Sequence, residues 1–313
     1  MEELINAYNY QKNYEAKVKK ASDFLKDKLT TQPLFGLTLG SGLGELADRI
    51  ENALILDYSE IPNFPTPTVE GHEGKMVFGE LKGVPVIGLK GRKHFYEVAD
   101  QPFNTGILQV AFPVHTLANL GVENYFATNA VGSLNTEYYL SKLEDMKHKV
   151  GDVMVIDSHI NMIPNPLLGR HMDFKRIDGE KTFRFQPMND AYDEDLRKIL
   201  FQATHNYHRN CHRGTLLSLT GPTFESEAES KAFRCSLEAD VVGMSVTPEV
   251  IVARNRGMKC LGMSCITNVI KEDGTNATSH EEVKAILESQ EIKNRLFGIV
   301  ERFFEIYKEK CMK

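Results

Sequence analysis

The chain has 313 residues, 42% of them apolar and 26% charged, an ordinary globular balance that can bury a large core. Its formal net charge is −6 with both signs mixed along the chain, which excludes the basic face of a nucleic-acid binder but not a local anion site. The five cysteines, Cys211, Cys235, Cys260, Cys265 and Cys311, form no CxxC pair and no even framework, so neither a disulfide scaffold nor a cysteine metal site is expected and a reducing compartment fits.

In chain order, residues 1–33 hold a predicted N-terminal helix, with Tyr10, Tyr14, Val18 and Leu25 at helical spacing and Pro33 helping to end it. The polar start carries no apolar signal segment, and no later run is long and apolar enough for a membrane span. A cytoplasmic protein without a membrane partner is the expectation. Residues 34–39 read as a buried strand that opens into Gly40-Ser41-Gly42-Leu43-Gly44 and then a helix. Continuous apolar runs recur at 84–89, 125–128, 153–156, 216–219, 241–244 and 260–266, as buried parallel strands do. Helices are predicted at 105–120, 190–209, 225–237 and 248–256, and one long amphipathic helix from Glu281 to Lys310.

This alternation predicts an α/β layered fold, taken as one domain over 1–313. Residues 61–68 hold three prolines in six positions and read as a loop. Residues 161–190 carry few structural runs and are a candidate cover for a site. Segment 136–150 is highly charged and reads as a surface insertion. Asn276-Ala277-Thr278 matches a glycosylation pattern, which carries no weight without a secretory signal.

Several strand ends carry groups suited to a ligand, and each also has a plain structural reading. The glycines at 40, 42 and 44 let backbone N–H groups approach an anion, or simply make a tight turn. Arg92 and His94 lie on one side of an extended segment and can converge on an anion, or form a solvated basic patch. The 128–135 turn offers backbone N–H groups or only caps. Phe224 and Glu225 can hold a planar heterocycle by face and by acceptor, or Glu225 merely starts a helix. Ser245 and Asn268 close further strands, where ligands gather in open α/β folds.

From about residue 34 to 305 the chain resembles the trimeric, low-molecular-mass class of purine nucleoside phosphorylases. The matching strings include GSGLG (40–44), EGH (70–72), GR-x-H-x-YE (91–97), TNA (128–130), GP-x-FES-x-AE (221–229), VGMS-x-x-PEVIVAR (242–254) and ITN (266–268). The resemblance implies a single-domain, three-layer fold with a central mixed, mostly parallel sheet flanked by helices. It implies a phosphate site of Ser41, Arg92, His94, the Ala130 N–H and Ser245, with His72 on a closing loop. It further implies Tyr96 and Met244 at the ribose, His280 at the 5′-hydroxyl, and Phe224, Glu225 and Asn268 at the purine. Phe185 would reach the ribose of a neighbouring subunit, in a homotrimer. Asn268, Glu225 and His94 are the implied catalytic set. No metal or organic cofactor is implied, phosphate being a co-substrate.

The same resemblance separates substrates. Methylthioadenosine phosphorylases carry an aspartate where Asn268 stands, lack Glu225, and have an apolar residue in place of His280. Inosine and guanosine are therefore expected over adenosine, with a methylthioadenosine or broad-range enzyme as the alternative and a non-catalytic nucleoside binder as a further one. The family's NAAGGLN stands here as Asn129-Ala-Val-Gly-Ser-Leu-Asn135, and the loop from Asn268 to His280 is shorter than the family's.

Overall fold

A computed structural model describes residues 1–40, 42–135, 148–168, 174–276 and 278–312. Ser41 and residues 136–147, most of the expected insertion, lie outside the described residues.

Among the described residues nine strands form one mixed sheet: β1 (Phe35–Leu39), β2 (Glu51–Asp57), β3 (Lys75–Leu81), β4 (Val84–Lys90), β5 (Asn124–Ser133), β6 (Val153–Asn161), β7 (Cys211–Ser218), β8 (Val241–Gly243) and β9 (Lys259–Val269). Their order is β2-β3-β4-β1-β5-β8-β7-β6-β9, and β5 also pairs with β9, so that part of the sheet closes on itself. The pairs β1–β4, β1–β5, β5–β9, β6–β7 and β7–β8 are parallel; β2–β3, β3–β4, β5–β8 and β6–β9 are antiparallel.

The predicted runs are strands because both faces are covered. Helix α3 (Thr105–Asn119) packs against both α2 (Tyr14–Lys26) and α6 (Thr247–Asn255) on one side of the sheet, where Tyr14, Phe112, Tyr125 and Val250 share a core. On the other side, α4 (Glu194–Ala203) and α8 (Gln290–Cys311) bury Phe35, Phe126, Leu200 and Phe303. Helix α3 is apolar nearly all round and is buried nearly all round. Among the described residues no helix is long and apolar enough to cross a membrane.

Several boundaries depart from the sequence reading. The N-terminal helix is two helices, α1 (Glu2–Lys12) and α2, broken at Asn13, and α2 ends at Lys26, well before Pro33. The helix expected at 190–209 starts only after Asp193, whose carboxylate accepts from Asp195 N and Leu196 N, and gives way to a 3-10 turn after Ala203. The long C-terminal helix is α7 (His280–Glu288) and α8, separated by Ser289, which is extended at φ −58° and ψ 124°. Strands β2 and β3 have no counterpart among the predicted runs. β3 joins β4 through Lys82 and Gly83, both at positive φ, the conformation a two-residue hairpin turn needs. The helix expected after Gly44 is a 3-10 turn, Gly44–Arg49.

The parallel strands β1, β4, β5 and β9 bring their carboxyl ends, near Leu39, Lys90, Ser133 and Val269, to one edge of the sheet. A ligand site belongs there on topological grounds.

Candidate active site

At that edge lies a cavity of about 360 Å³, the size of a small-molecule site. Its walls include His72, Arg92, His94, Tyr96, Ala130, Phe224, Glu225, Met244, Ser245, Asn268 and His280. Every proposed site residue within the described set is therefore here except Phe185. Phe185 is 86% exposed and borders a separate, larger cavity of about 910 Å³ beside His115, His159 and Phe174. Leu216 and Leu219 do not line the smaller cavity; Leu219 packs beside Leu217 and Phe233 instead.

One end of the cavity is built to hold an anion. Arg92 follows β4 and is 4% exposed. Its Nε donates to Glu249 Oε1 at 3.1 Å, and its Nη1 donates to Thr128 O at 2.7 Å and Ser245 Oγ at 3.1 Å. Its Nη2 is buried without a hydrogen-bond partner among the described residues, and so is Asn129 Nδ2. Ser264 Oγ donates to Asn129 Oδ1 at 2.8 Å, which turns the nitrogen of that amide toward Gly243 and the cavity. Two buried donors with no internal acceptor make a seat for an external one. Asn129 and Glu249 were not singled out from the sequence, because their partners are 135 and 157 residues away.

Ser245 owes its position to a strained turn. Val246 has φ 78° and ψ −55°, and Thr247 N donates to Ser245 O at 3.1 Å, the geometry of a γ-turn rarely adopted by a β-branched residue. Ser218 Oγ also donates to Ser245 O, at 2.8 Å. The turn aims Ser245 Oγ at Arg92 and leads directly into α6.

A row of rings covers this end. The His72 and His94 rings lie 5.0 Å apart, and His94 stacks on Tyr96 at 5.0 Å with 9° between planes. Gly91, at φ +101°, lets the chain pass beside His72; a Cβ there would lie 2.6 Å from His72 Cβ. His72 Nδ1 sits 2.8 Å from Arg92 O. Burial, with the neighbouring His94, pulls the His72 imidazole down to about 4, so it is neutral near pH 7. His94 N donates to Glu97 Oε1 at 2.6 Å, and Thr68 N donates to Glu97 Oε2 at 2.7 Å. Burial pushes the Glu97 carboxyl up, but these hydrogen bonds outweigh it and hold it well below the usual range. Glu97 thereby ties the proline-rich loop to the histidine segment. Burial pushes the Tyr96 hydroxyl up to about 12.

The other end suits a planar polar ring. Asn268 is buried on β9. Val131 pairs with Ile266 and Gly132 with Asn268, so Thr267 is an extra residue opposite β5. Such a bulge re-aims the side chain that follows it. Gly132 gives Asn268 its room, since a Cβ there would lie 3.0 Å from Asn268 Nδ2. Glu225 lies just before α5 (Glu227–Cys235), and burial pushes its carboxyl above the ordinary 4.5. Phe224, Met244 and Tyr96 supply apolar surface between these polar ends. His280 starts α7, where Ser279 caps the helix by accepting from Glu282 N. Among the described residues no group of three or more His, Cys, Asp or Glu could hold a metal ion.

An anion seat, a flat apolar middle and an amide–carboxylate pair together fit a phosphate, a sugar and a heterocyclic base. Residues 34–305 match the phosphorylase superfamily. The chain is 40% identical over 273 residues to purine nucleoside phosphorylase 1 of Bacillus subtilis (strain 168), covering 87% of this chain and 92% of that one. It is 39% identical over 272 residues to the purine nucleoside phosphorylase of Rattus norvegicus, covering 84% and 86%. The structure matches a Schistosoma purine nucleoside phosphorylase solved with hypoxanthine, at TM-score 0.77 and 30% identity over 92% of this chain and 96% of that one. It also matches isoform 2 from Schistosoma mansoni, solved with cytosine and ribose-1-phosphate, at TM-score 0.80 and 31% identity over 93% and 96%. The chain therefore belongs to the phosphorylase superfamily and, within it, to the purine nucleoside phosphorylases, pentosyltransferases that act on purine nucleosides.

Proposed function

We propose that this enzyme cleaves 6-oxopurine ribo- and deoxyribonucleosides, inosine and guanosine, with phosphate, as a step of purine salvage in the cytoplasm. The observation that carries this reading is the pairing of Asn268 and Glu225 at one end of the cavity with the free donors of Arg92 and Asn129 at the other. In the proposed step a phosphate oxygen bonds to C1′ while the C1′–N9 bond breaks and its electron pair passes to the purine. The proton of the hydrogen phosphate ends on the purine, so the products are the free base and ribose 1-phosphate. Arg92, His94, Ser245, the Ala130 N–H and Ser41 hold the phosphate, and His72 shields it. Tyr96 and Met244 flank the ribose, and His280 meets its 5′-hydroxyl. Phe224 packs on the base.

As the bond breaks, negative charge grows on the purine, and an Asn268 N–H at N7 stabilises that charge more than it stabilises the ground state. Glu225 accepts from N1–H, a group that 6-oxopurines carry and adenosine lacks. The displacement changes no oxidation state, so it calls for no redox cofactor. Phe185, exposed and apart from its own chain's cavity, fits a role at a neighbouring subunit's ribose in a homotrimer.

Solved Schistosoma purine nucleoside phosphorylases have been captured with guanosine, with inosine and with adenosine. Binding alone therefore does not set selectivity, and turnover is the measurement to make. Hypoxanthine release from inosine is expected only with phosphate, and faster by roughly 10⁴-fold than adenine release from adenosine, because a site built around an N–H rejects an analogue without it. Phosphate-independent release, or equal turnover of adenosine or methylthioadenosine, would overturn the reading.

The protonation of Glu225 gives a second check. Its carboxyl is raised above 4.5 by burial, so the folded protein favours the neutral acid and loses the N1–H acceptor as pH falls. The acid limb of kcat/KM for inosine is expected above pH 4.5, and Glu225→Gln should remove that limb. A limb that persists unchanged in Glu225→Gln belongs to another group.

A further inference from the structure

Asn276 lies in the connection between β9 and α7, where the sequence offers it only as the start of a glycosylation pattern. Its structural setting is inward instead: Asn276 Nδ2 is buried and, among the described residues, makes no close hydrogen bond, with the Glu225 carboxylate as the acceptor in its reach. Its Oδ1 accepts from two donors, Thr278 N at 3.3 Å and Asn268 Nδ2 at 3.3 Å.

The polarity of this chain of contacts is fixed at one end. A backbone N–H can only donate, so the atom of Asn276 that faces Thr278 is the amide oxygen. That oxygen needs a donor from Asn268, so Asn268 must face it with nitrogen. Thr267 cannot impose the same choice. Its Oγ1 lies 3.3 Å from Asn268 Oδ1, but a hydroxyl donates or accepts, and Val131 O at 3.2 Å competes for its one proton. An Asn268 amide turned over would offer its oxygen where N7 gathers charge, and would suit a 6-amino group instead of a 6-oxo group.

We propose that Asn276 is the positioning residue of the base site: it fixes the orientation of the Asn268 amide and presents its own spare N–H pair to Glu225. The inference rests on the roles given above to Asn268 and Glu225. The contact with Glu225 has an independent sign. Burial pushes the Glu225 carboxyl up, and the Asn276 amide is the side chain that works against this. One side chain thus reaches both groups that grip the base, from a loop that is shorter here than the family pattern.

Two substitutions separate the two halves of the role. Asn276→Ala removes the acceptor that orients Asn268. It is expected to lower kcat for inosine by about 10- to 100-fold, the usual penalty for a misplaced catalytic group, and to narrow the inosine-over-adenosine ratio. KM for phosphate should stay within about twofold, since the anion seat is untouched. Asn276→Asp keeps an oxygen for Thr278 and Asn268 but turns a second oxygen on Glu225. It should restore most of the inosine kcat lost in Asn276→Ala while moving the acid limb of kcat/KM upward by about one pH unit. The other charged and titratable groups near Glu225 are Glu229, on the helix that follows it, and Arg92, His280, His94, His72 and Tyr96 around the cavity; all are the same in each variant.

The measurements are steady-state kinetics with inosine, adenosine and phosphate across pH, with a melting curve for each protein. Wild-type kcat and selectivity in Asn276→Ala would overturn the inference, as would an equal loss on both nucleosides with a lowered melting temperature. Failure of the unmodified enzyme to release hypoxanthine with phosphate would overturn the reaction itself, an outcome visible before any variant is compared.

Discussion

Asn268→Ala should lower kcat for inosine by about 10²–10³-fold, the range found when one preorganised donor to a developing charge is removed. Under the proposed assignment the amide acts mainly in the transition state, so kcat and kcat/KM should fall together. Folding should be little affected. The amide lies on a cavity wall, and its neighbours keep other partners: Asn276 Oδ1 keeps Thr278 N, and Thr267 Oγ1 keeps Val131 O. Asn268→Asp should behave differently. Its carboxylate repels charge at N7 of a 6-oxopurine but can accept from a 6-amino group, so the adenosine-to-inosine ratio should rise. The measurement is phosphate-dependent base release from both nucleosides. A loss below tenfold in Asn268→Ala, or no rise in that ratio in Asn268→Asp, would remove Asn268 from the catalytic set.

The second large effect is expected at Glu249, which touches no substrate in the proposed reaction. Arg92 and Glu249 form an ion pair at 3.1 Å with side chains 4% and 5% exposed. Removing one partner of such a pair leaves a buried, uncompensated charge, which costs about 3–5 kcal/mol. Glu249→Ala should therefore lower the urea midpoint markedly. Because the stranded charge belongs to Arg92 at the anion seat, added phosphate should recover more stability in Glu249→Ala than in the unmodified protein. The gain from a ligand follows RT ln(1 + [L]/Kd), so a phosphate titration of the unfolding midpoint reads it directly. Equal phosphate effects in both proteins would mean that Arg92 is not where the anion sits.

Much of this architecture was readable. The strands β1, β4, β5, β6, β7, β8 and β9 are continuous apolar runs because both of their faces are covered, and a covered strand needs no polar alternation. β2 escaped because it is an edge strand with mostly exposed or half-exposed residues, so burial leaves almost no pattern on it. The helix breaks at Asn13 and Ser289 escaped because each interrupts an apolar face by one residue without shifting its periodicity much. Among the described residues, the implied site residues other than Phe185 did come together, from His72 to His280, around one cavity. The supporting residues did not show themselves. Glu249 lies inside the string PEVIVAR, where it reads as a helix-start carboxylate. Asn129 reads as a turn cap, and Asn276 as a glycan acceptor. Their roles come from partners far along the chain or across a bulge, and one sequence does not pair such residues.

The γ-turn at Val246 bears on when the site comes into being. No local preference favours a valine at φ 78°; the isopropyl group is held there by complete burial in the core beside Val250 and Tyr125. A segment that depends on distant packing does not form ahead of that packing. Ser245 and the start of α6 therefore reach their places only as the surrounding layers close. A partly folded chain has a flexible link where the finished protein has a fixed hydroxyl. Affinity for the anion is then a property of the completed chain, acquired late and lost early, and the ligand acts as a sensor of full assembly.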